Sequence, residues 1–322
     1  MIKILSIGAA VQDVFLSHSL EFKPVTDIPA HEIFMKLDLG AKADVNNIDF
    51  STGGGATNAS VTFARQGLHA LFMGTIGHDP AGNAVLDDLD KEGVDTTHIS
   101  YSDKHKTGYS LLLLAPSGER TILTYRGAST HYELKNFNID QTEGIDWIYL
   151  SSLAGNTELL DKILNQAKKK DIKVFFNPGK GELKNLPELK SLLEDVDVLS
   201  VNKEEAQLIV DGHSLEEIAR RLLNYVPAVI VSDGPNGVVA SDKKTIVRAG
   251  MYEDVKVIDR TGAGDAFGSG FLSYWAQGKS LKDSIVFASA NSTSVVTKVG
   301  AKAGILHKGT KLHAMPLSEK PF

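Results

Sequence analysis

The chain has 322 residues, 42% hydrophobic and 23% charged, with a formal net charge of −6. That is an ordinary globular balance, and the net acidity argues against chain-wide binding of nucleic acid or anionic membranes. No cysteine is present, which excludes disulfides and thiolate metal sites. No apolar run approaches the roughly 20 residues of a membrane helix, and the N-terminal residues lack a signal-peptide pattern, so a cytoplasmic protein is expected.

In chain order, IKILSIG (2–8) reads as a buried strand. Residues 14–50 look β-rich. ATNASVTFARQG (56–67) is helical and stops at Gly67. HALFMGTIG (69–77) is a strand, and the segment from Pro80 to Gly93 has the start and stop signals of a helix. Residues 97–126 look β-rich again, with alternation in YSLLLLAPSGERTILTYRG (109–127) around a Pro-Ser-Gly turn. Strands follow at 146–152, 173–179, 197–202 and 228–234, separated by helices at 156–170, 186–195 and 214–226. VKVID (255–259) is strand-like, and two helices, 263–278 and 281–300, close the series.

Alternating strands and helices predict an α/β fold, a three-layer αβα domain around a mostly parallel central sheet. The two β-rich stretches interrupt that rhythm and are expected to form a small projecting β-sheet lid. The domain division is then 1–13, 51–96 and 127–322 for the main unit, with 14–50 and 97–126 for the lid. No internal repeat is visible, and the lysines at 168–170 read as a solvated helix end.

DRTGAGDAFGSGFL (259–272) crowds four glycines around Asp265 and then turns apolar. Glycine lets a backbone approach a ligand closely and lets amides converge. Thr261–Gly264 precede an amphipathic run, so they should open a helix whose free amides suit a phosphate. Asp265 would lie beside that anion, where a carboxylate can accept the proton of an attacking hydroxyl. A simple helix cap is the competing reading. The dinucleotide fingerprint fails because Gly262, Gly264 and Gly268 are spaced one residue too far. SYWAQGKS (273–280) fails as a P-loop, since Ser273 replaces its first glycine and a helix precedes it.

STGGGATNASVTFARQG (51–67) is a second glycine cluster before a helix. It reads either as a flexible loop with a cap or as a close backbone approach to a polar ligand, with Asn58 bonding its hydroxyls. Together the two clusters resemble the ribokinase, or PfkB, family of carbohydrate kinases. Gly53-Gly54, Ala56, Asn58, Ser60, Gly67 and Gly77 match the family's N-terminal pattern, and Thr261 through Leu272 its C-terminal one. Arg260 departs from it, standing where the family has Thr, Ser, Pro or Val.

The resemblance implies an ATP-dependent kinase with Mg²⁺. Asp265 would be the base and the amides of Gly262, Ala263 and Gly264 the anion hole. The sugar would lie against Asp13, Gly53, Gly54 and Asn58, under the lid. Arg126, at the lid's end, is a candidate for a substrate anion or a structural salt bridge. Asn202 and Glu205 in VNKEEA resemble the element that orders magnesium and its waters. Ser232, Gly234 and Gly237 look like the nucleotide loop, and Ser289 and Asn291 like the adenine-contacting segment. Asp259 and Thr261 are candidate ligands of a monovalent cation such as K⁺.

The family's ribokinases proper carry a lysine at the position of Gly55, so fructose, a 2-keto-3-deoxy sugar acid and a nucleoside stay open beside ribose. The ten histidines show no metal-ligand spacing. The leucine-rich lid hairpin and its exposed edges point to a homodimer packed lid to lid.

Overall fold

The computed structural model describes residues 1–17, 24–27, 32–40, 42–115, 120–250 and 255–322. β1 (Lys3–Ile7) lies in a large sheet. β2 (Val11–Ser17), β3 (Pro24–Asp27), β4 (Glu32–Met35) and β5 (Asn47–Gly53) lie outside it. The chain returns through α1 (Gly55–Arg65), β6 (His69–Gly77), α2 (Pro80–Lys91) and β7 (Asp95–Ser102), then leaves through β8 (Gly108–Leu114) and β9 (Arg120–Tyr125). A regular α/β run follows: β10 (Trp147–Leu150), α3 (Thr157–Lys169), β11 (Lys173–Phe176), α4 (Leu186–Leu192), β12 (Val198–Asn202), α5 (Lys203–Ile209), α6 (Leu215–Leu222) and β13 (Ala228–Ser232). β14 (Val238–Ser241), β15 (Thr245–Ala249), α7 (Ala263–Trp275), α8 (Leu281–Val295) and β16 (Leu317–Pro321) end the chain.

The large sheet has the order β16-β15-β14-β13-β12-β11-β10-β1-β6-β7. From β7 to β13 neighbours are parallel, and β14, β15 and β16 add an antiparallel wing. Its inner strands, β1, β6 and β10 to β13, are buried on both faces, as a doubly covered sheet requires. Leu5 and Ile7 join a core with α3 to α6, while Ile4 joins one with α1, α2, α7 and α8. This is the expected αβα sandwich. Among the described residues no helix is long and apolar enough to cross a membrane.

The second sheet runs β5-β2-β8-β9 and forms the lid, with β3 and β4 paired apart from it. Its limits differ from those expected. Residues 97–102 belong to β7, whose pairing with β6 makes them the edge of the main sheet. The lid sheet takes in Val11–Asp13 and Ser51–Gly53, because β2 and β5 stay paired down to the main domain. The Pro-Ser-Gly turn at 116–118 lies outside the described residues. VKVID forms no strand over its described residues, 255–259: the amides of Ile258 and Asp259 bond to the carbonyl of Val296, at the end of α8, instead of to a sheet edge.

Candidate active site

Helices α2, α3, α5, α6 and α8 open on side-chain caps from Asp79, Asn156, Asn202, Ser214 and Ser280. Helices α1 and α7 open instead on Gly54 (φ 103°) and Gly262 (φ 77°), with no side-chain cap. Those angles favour glycine, and packing requires it too. A Cβ on Gly54 would sit 2.3 Å from the Ala9 carbonyl oxygen, and one on Gly262 2.4 Å from Ala301 Cβ. An uncapped N-terminus keeps its amides and partial positive charge for a ligand. Of the three amides expected to cradle an anion, that of Ala263 bonds the Arg260 carbonyl at 3.3 Å, so it is spent. Gly264 faces open space.

Asp265 lies in the first turn of α7. Protein surrounds its carboxyl, and the lost hydration pushes its pKa up; a hydrogen bond from Asn58 works against that rise. Asn58 Nδ2 donates to Asp265 Oδ2 at 2.8 Å, across 207 residues of sequence. Thus Asn58, expected on the ligand, is placed on the carboxylate; its Oδ1 is buried without a partner. Gly55 leaves room for the same carboxylate, since a Cβ there would lie 3.1 Å from Asp265 Oδ1. The two glycine clusters therefore meet at one acidic side chain. An acceptor whose hydroxyl met Asp265 in front of α7 would find a proton acceptor and an anion-stabilising helix end together.

Asp13, on β2, is 5% exposed. Burial raises its pKa to about 6, with the Ser110 hydroxyl bond and the Lys302 charge opposing the rise and Asp259 and Asp265 adding to it. Gly53 abuts it: a Cβ there would sit 2.3 Å from Asp13 Oδ2. Asp13, Ser51, Ser110 and Thr124 align across β2, β5, β8 and β9. Ser51 in turn lies against Gly300, beside the anion loop, so this lid face looks onto the same region. Arg126 is exposed where the lid ends.

A separate pocket is lined by Ser232, Gly234, Gly237, Ala263, Gly264 and Ser289. It runs from the C-terminal end of β13 to α7 and α8, and the Ser289 hydroxyl in it is buried without a partner. Phe267 and Val238 supply apolar walls. Asn291 does not belong to this pocket. Its amide donates to the Ala266 carbonyl at 2.8 Å and accepts from Leu306 N–H at 2.9 Å, because it occupies the buried face of α8 against α7. Ser292, which sequence reasoning missed, lines the pocket and donates to the Ala263 carbonyl.

Asn202 pairs with Ser232 in register and caps α5 reciprocally with Glu205. The cap uses Asn202 Oδ1 and Glu205 Oε2. Burial raises the Glu205 pKa. One carboxylate with an oxygen beyond the cap fits a magnesium ion that keeps most of its waters. Asp259 is largely occupied: Oδ1 accepts from Thr261 N–H (3.0 Å) and Oγ–H (2.7 Å), and Oδ2 from Gly300 N–H (3.0 Å). Donors on both oxygens and the Arg120 guanidinium 3.9 Å away do not fit a monovalent cation there.

Sequence reasoning also missed a buried cluster beneath Gly53. Lys302 Nζ donates to Thr52 Oγ1 (2.6 Å) and Asp88 Oδ2 (2.9 Å), and Thr52 Oγ1 bonds the same Asp88 carboxylate. The only signal was a lysine amid small residues in GAKAG (300–304). Among the described residues no group of three or more His, Cys, Asp or Glu could hold a metal ion.

Residues 29–308 match the model of the pfkB family carbohydrate kinases. A ribokinase of Haemophilus influenzae is 30% identical over 272 residues, covering 80% of this chain and 85% of that protein. A solved Thermotoga maritima ribokinase has a TM-score of 0.77 at 22% identity, covering 96% of this chain and 97% of its own. A Sinorhizobium meliloti adenosine kinase also scores 0.77, at 19% identity, covering 94% and 95%. The family match spans both glycine clusters and the helices they open, and the chain belongs to the pfkB family of carbohydrate kinases, phosphotransferases acting on sugar hydroxyls.

Proposed function

We propose that the chain transfers the γ-phosphate of ATP to a hydroxyl of a small carbohydrate. The observation that carries this is the 2.8 Å bond from Asn58 to Asp265, which sets one half-buried carboxylate at the mouth of an uncapped helix. ATP lies in the pocket of Ser232, Gly234, Gly237 and Ser289, with its phosphates toward Gly262 and Gly264. The acceptor lies under the lid, bonded by Asp13. Asp265 takes the proton of the attacking hydroxyl, and the open amides stabilise the charge on the transferring group. Magnesium, held through water by Glu205, supplies charge neutralisation at the phosphates. The reading places the protein in the cytoplasm, where ATP is available, as a homodimer joined through the lid.

A nucleoside acceptor is the second reading. It is favoured by Ile122, 44% exposed on the same lid face as Asp13, where an apolar base would rest. Coupled detection of ADP release across ribose, fructose, 2-keto-3-deoxy sugar acids and nucleosides tests both. One acceptor should raise ADP release far above the ATP-only rate. No stimulation by any of them would overturn the kinase reading.

A further inference from the structure

Arg120 opens β9, in the lid, yet its Nε lies 3.9 Å from Asp259 Oδ1 in the main domain. The Asp259 carboxylate is wholly buried and the guanidinium is 24% exposed. The Nε–H is itself buried and has no hydrogen-bond acceptor. This is a contact between charges that has not closed into a hydrogen bond. A buried carboxylate without a counter-charge is costly, so some cation must answer Asp259. A diffusible ion would need several convergent oxygens, but three of the four lone-pair sites of this carboxylate already accept N–H or O–H donors, and the guanidinium would repel it.

We infer that Arg120 is the counter-ion of Asp259, brought by the lid, and acts as a positioning residue for phosphoryl transfer. Asp259 holds Thr261 and Gly300 by three hydrogen bonds. Ala301 in turn presses against Gly262, the cap of α7. Seating the lid therefore delivers a positive charge to the segment that shapes the anion loop, and lifting it leaves that segment under-neutralised. Transfer is coupled to closure through this pair, and no monovalent cation is required. The inference rests on the kinase reading above.

The test compares wild type, R120A and R120K in KCl and in tetramethylammonium chloride at equal ionic strength. Melting temperature gives a readout that needs no activity: wild type should melt alike in both salts, whereas R120A should gain stability in KCl. In the coupled assay, wild-type kcat should be the same in both salts. R120A should lose roughly tenfold or more in kcat with little change in KM for ATP. R120K, or added guanidinium ion with R120A, should restore part of the loss. A wild type that needs K⁺ for kcat or gains melting temperature from it would overturn the inference, as would R120A with unchanged kcat in both salts. If wild type turned over no acceptor at all, the kinase reading would fail, and the melting temperatures alone would decide the role of Arg120.

Discussion

Asp265 sits between two opposing influences: burial raises its pKa and the Asn58 bond lowers it. As the proposed base it must be ionised. Asp265→Asn should fold and bind ATP but lose about 10²–10⁴-fold in kcat, the usual worth of general-base catalysis. Asn58→Leu removes the lowering contact, so the acid limb of kcat/KM should move to higher pH. A raised acceptor KM with an unmoved limb would instead make Asn58 a substrate contact. Asp13 is subject to the same two influences. Its pKa, raised from 3.8 to about 6, favours the neutral form in the folded state. Its contribution to stability is complete below about pH 4 and is lost as pH rises through about 6, at a cost of roughly 2–3 kcal/mol. Asp13→Asn should therefore melt higher at pH 7 while raising acceptor KM and leaving KM for ATP unchanged. An Asn variant with unaltered acceptor KM would move the acceptor away from Asp13.

Among the elements, the lid has an unusual outer face. Phe50, Val14, Leu111 and Leu123 align across all four strands, and Phe50 is 63% and Leu123 54% exposed. Ile48, Tyr109 and Tyr125 extend the exposed patch. The proposed lid-to-lid dimer would cover these exposed side chains and shield the sheet edges as well. Sedimentation should show a dimer at micromolar concentration, and Phe50→Asp with Leu123→Asp should reduce it to 34.7 kDa monomers. A monomeric wild type would remove the lid-to-lid proposal. The parallel strands were legible because each is a short apolar run between helix signals. β7 was not, since DTTHISYS carries polar residues on both faces as befits an edge strand. The antiparallel wing, β14, β15 and β16, was also missed: no helix stands between β14 and β15 to mark their limits.

For the molecule as a whole, the sequence exposed the backbone half of the site better than the side-chain half. Glycines before a helix are a local signal, and both clusters stand where local signals put them. Asn58 on Asp265, Lys302 on Asp88 and Arg120 near Asp259 join residues 207, 214 and 139 positions apart. No periodicity encodes such meetings; only the closed sheet and seated lid create them. Asn202 and Asn291 show the reverse, where a polar residue in a promising motif serves a cap or a helix contact.

The glycine contacts have a consequence for how this site can change. At Gly53, Gly54 and Gly262 even one added carbon would collide with atoms 2.3 to 2.4 Å away. Those three positions are thus held to glycine, and new acceptors cannot be accommodated by altering them. The lid offers the contrary: Ile122 and Thr124 are exposed side chains on β9. Three glycines are frozen around the chemistry, so selection for a different acceptor would have to be written beside them, at Gly55 and in the lid.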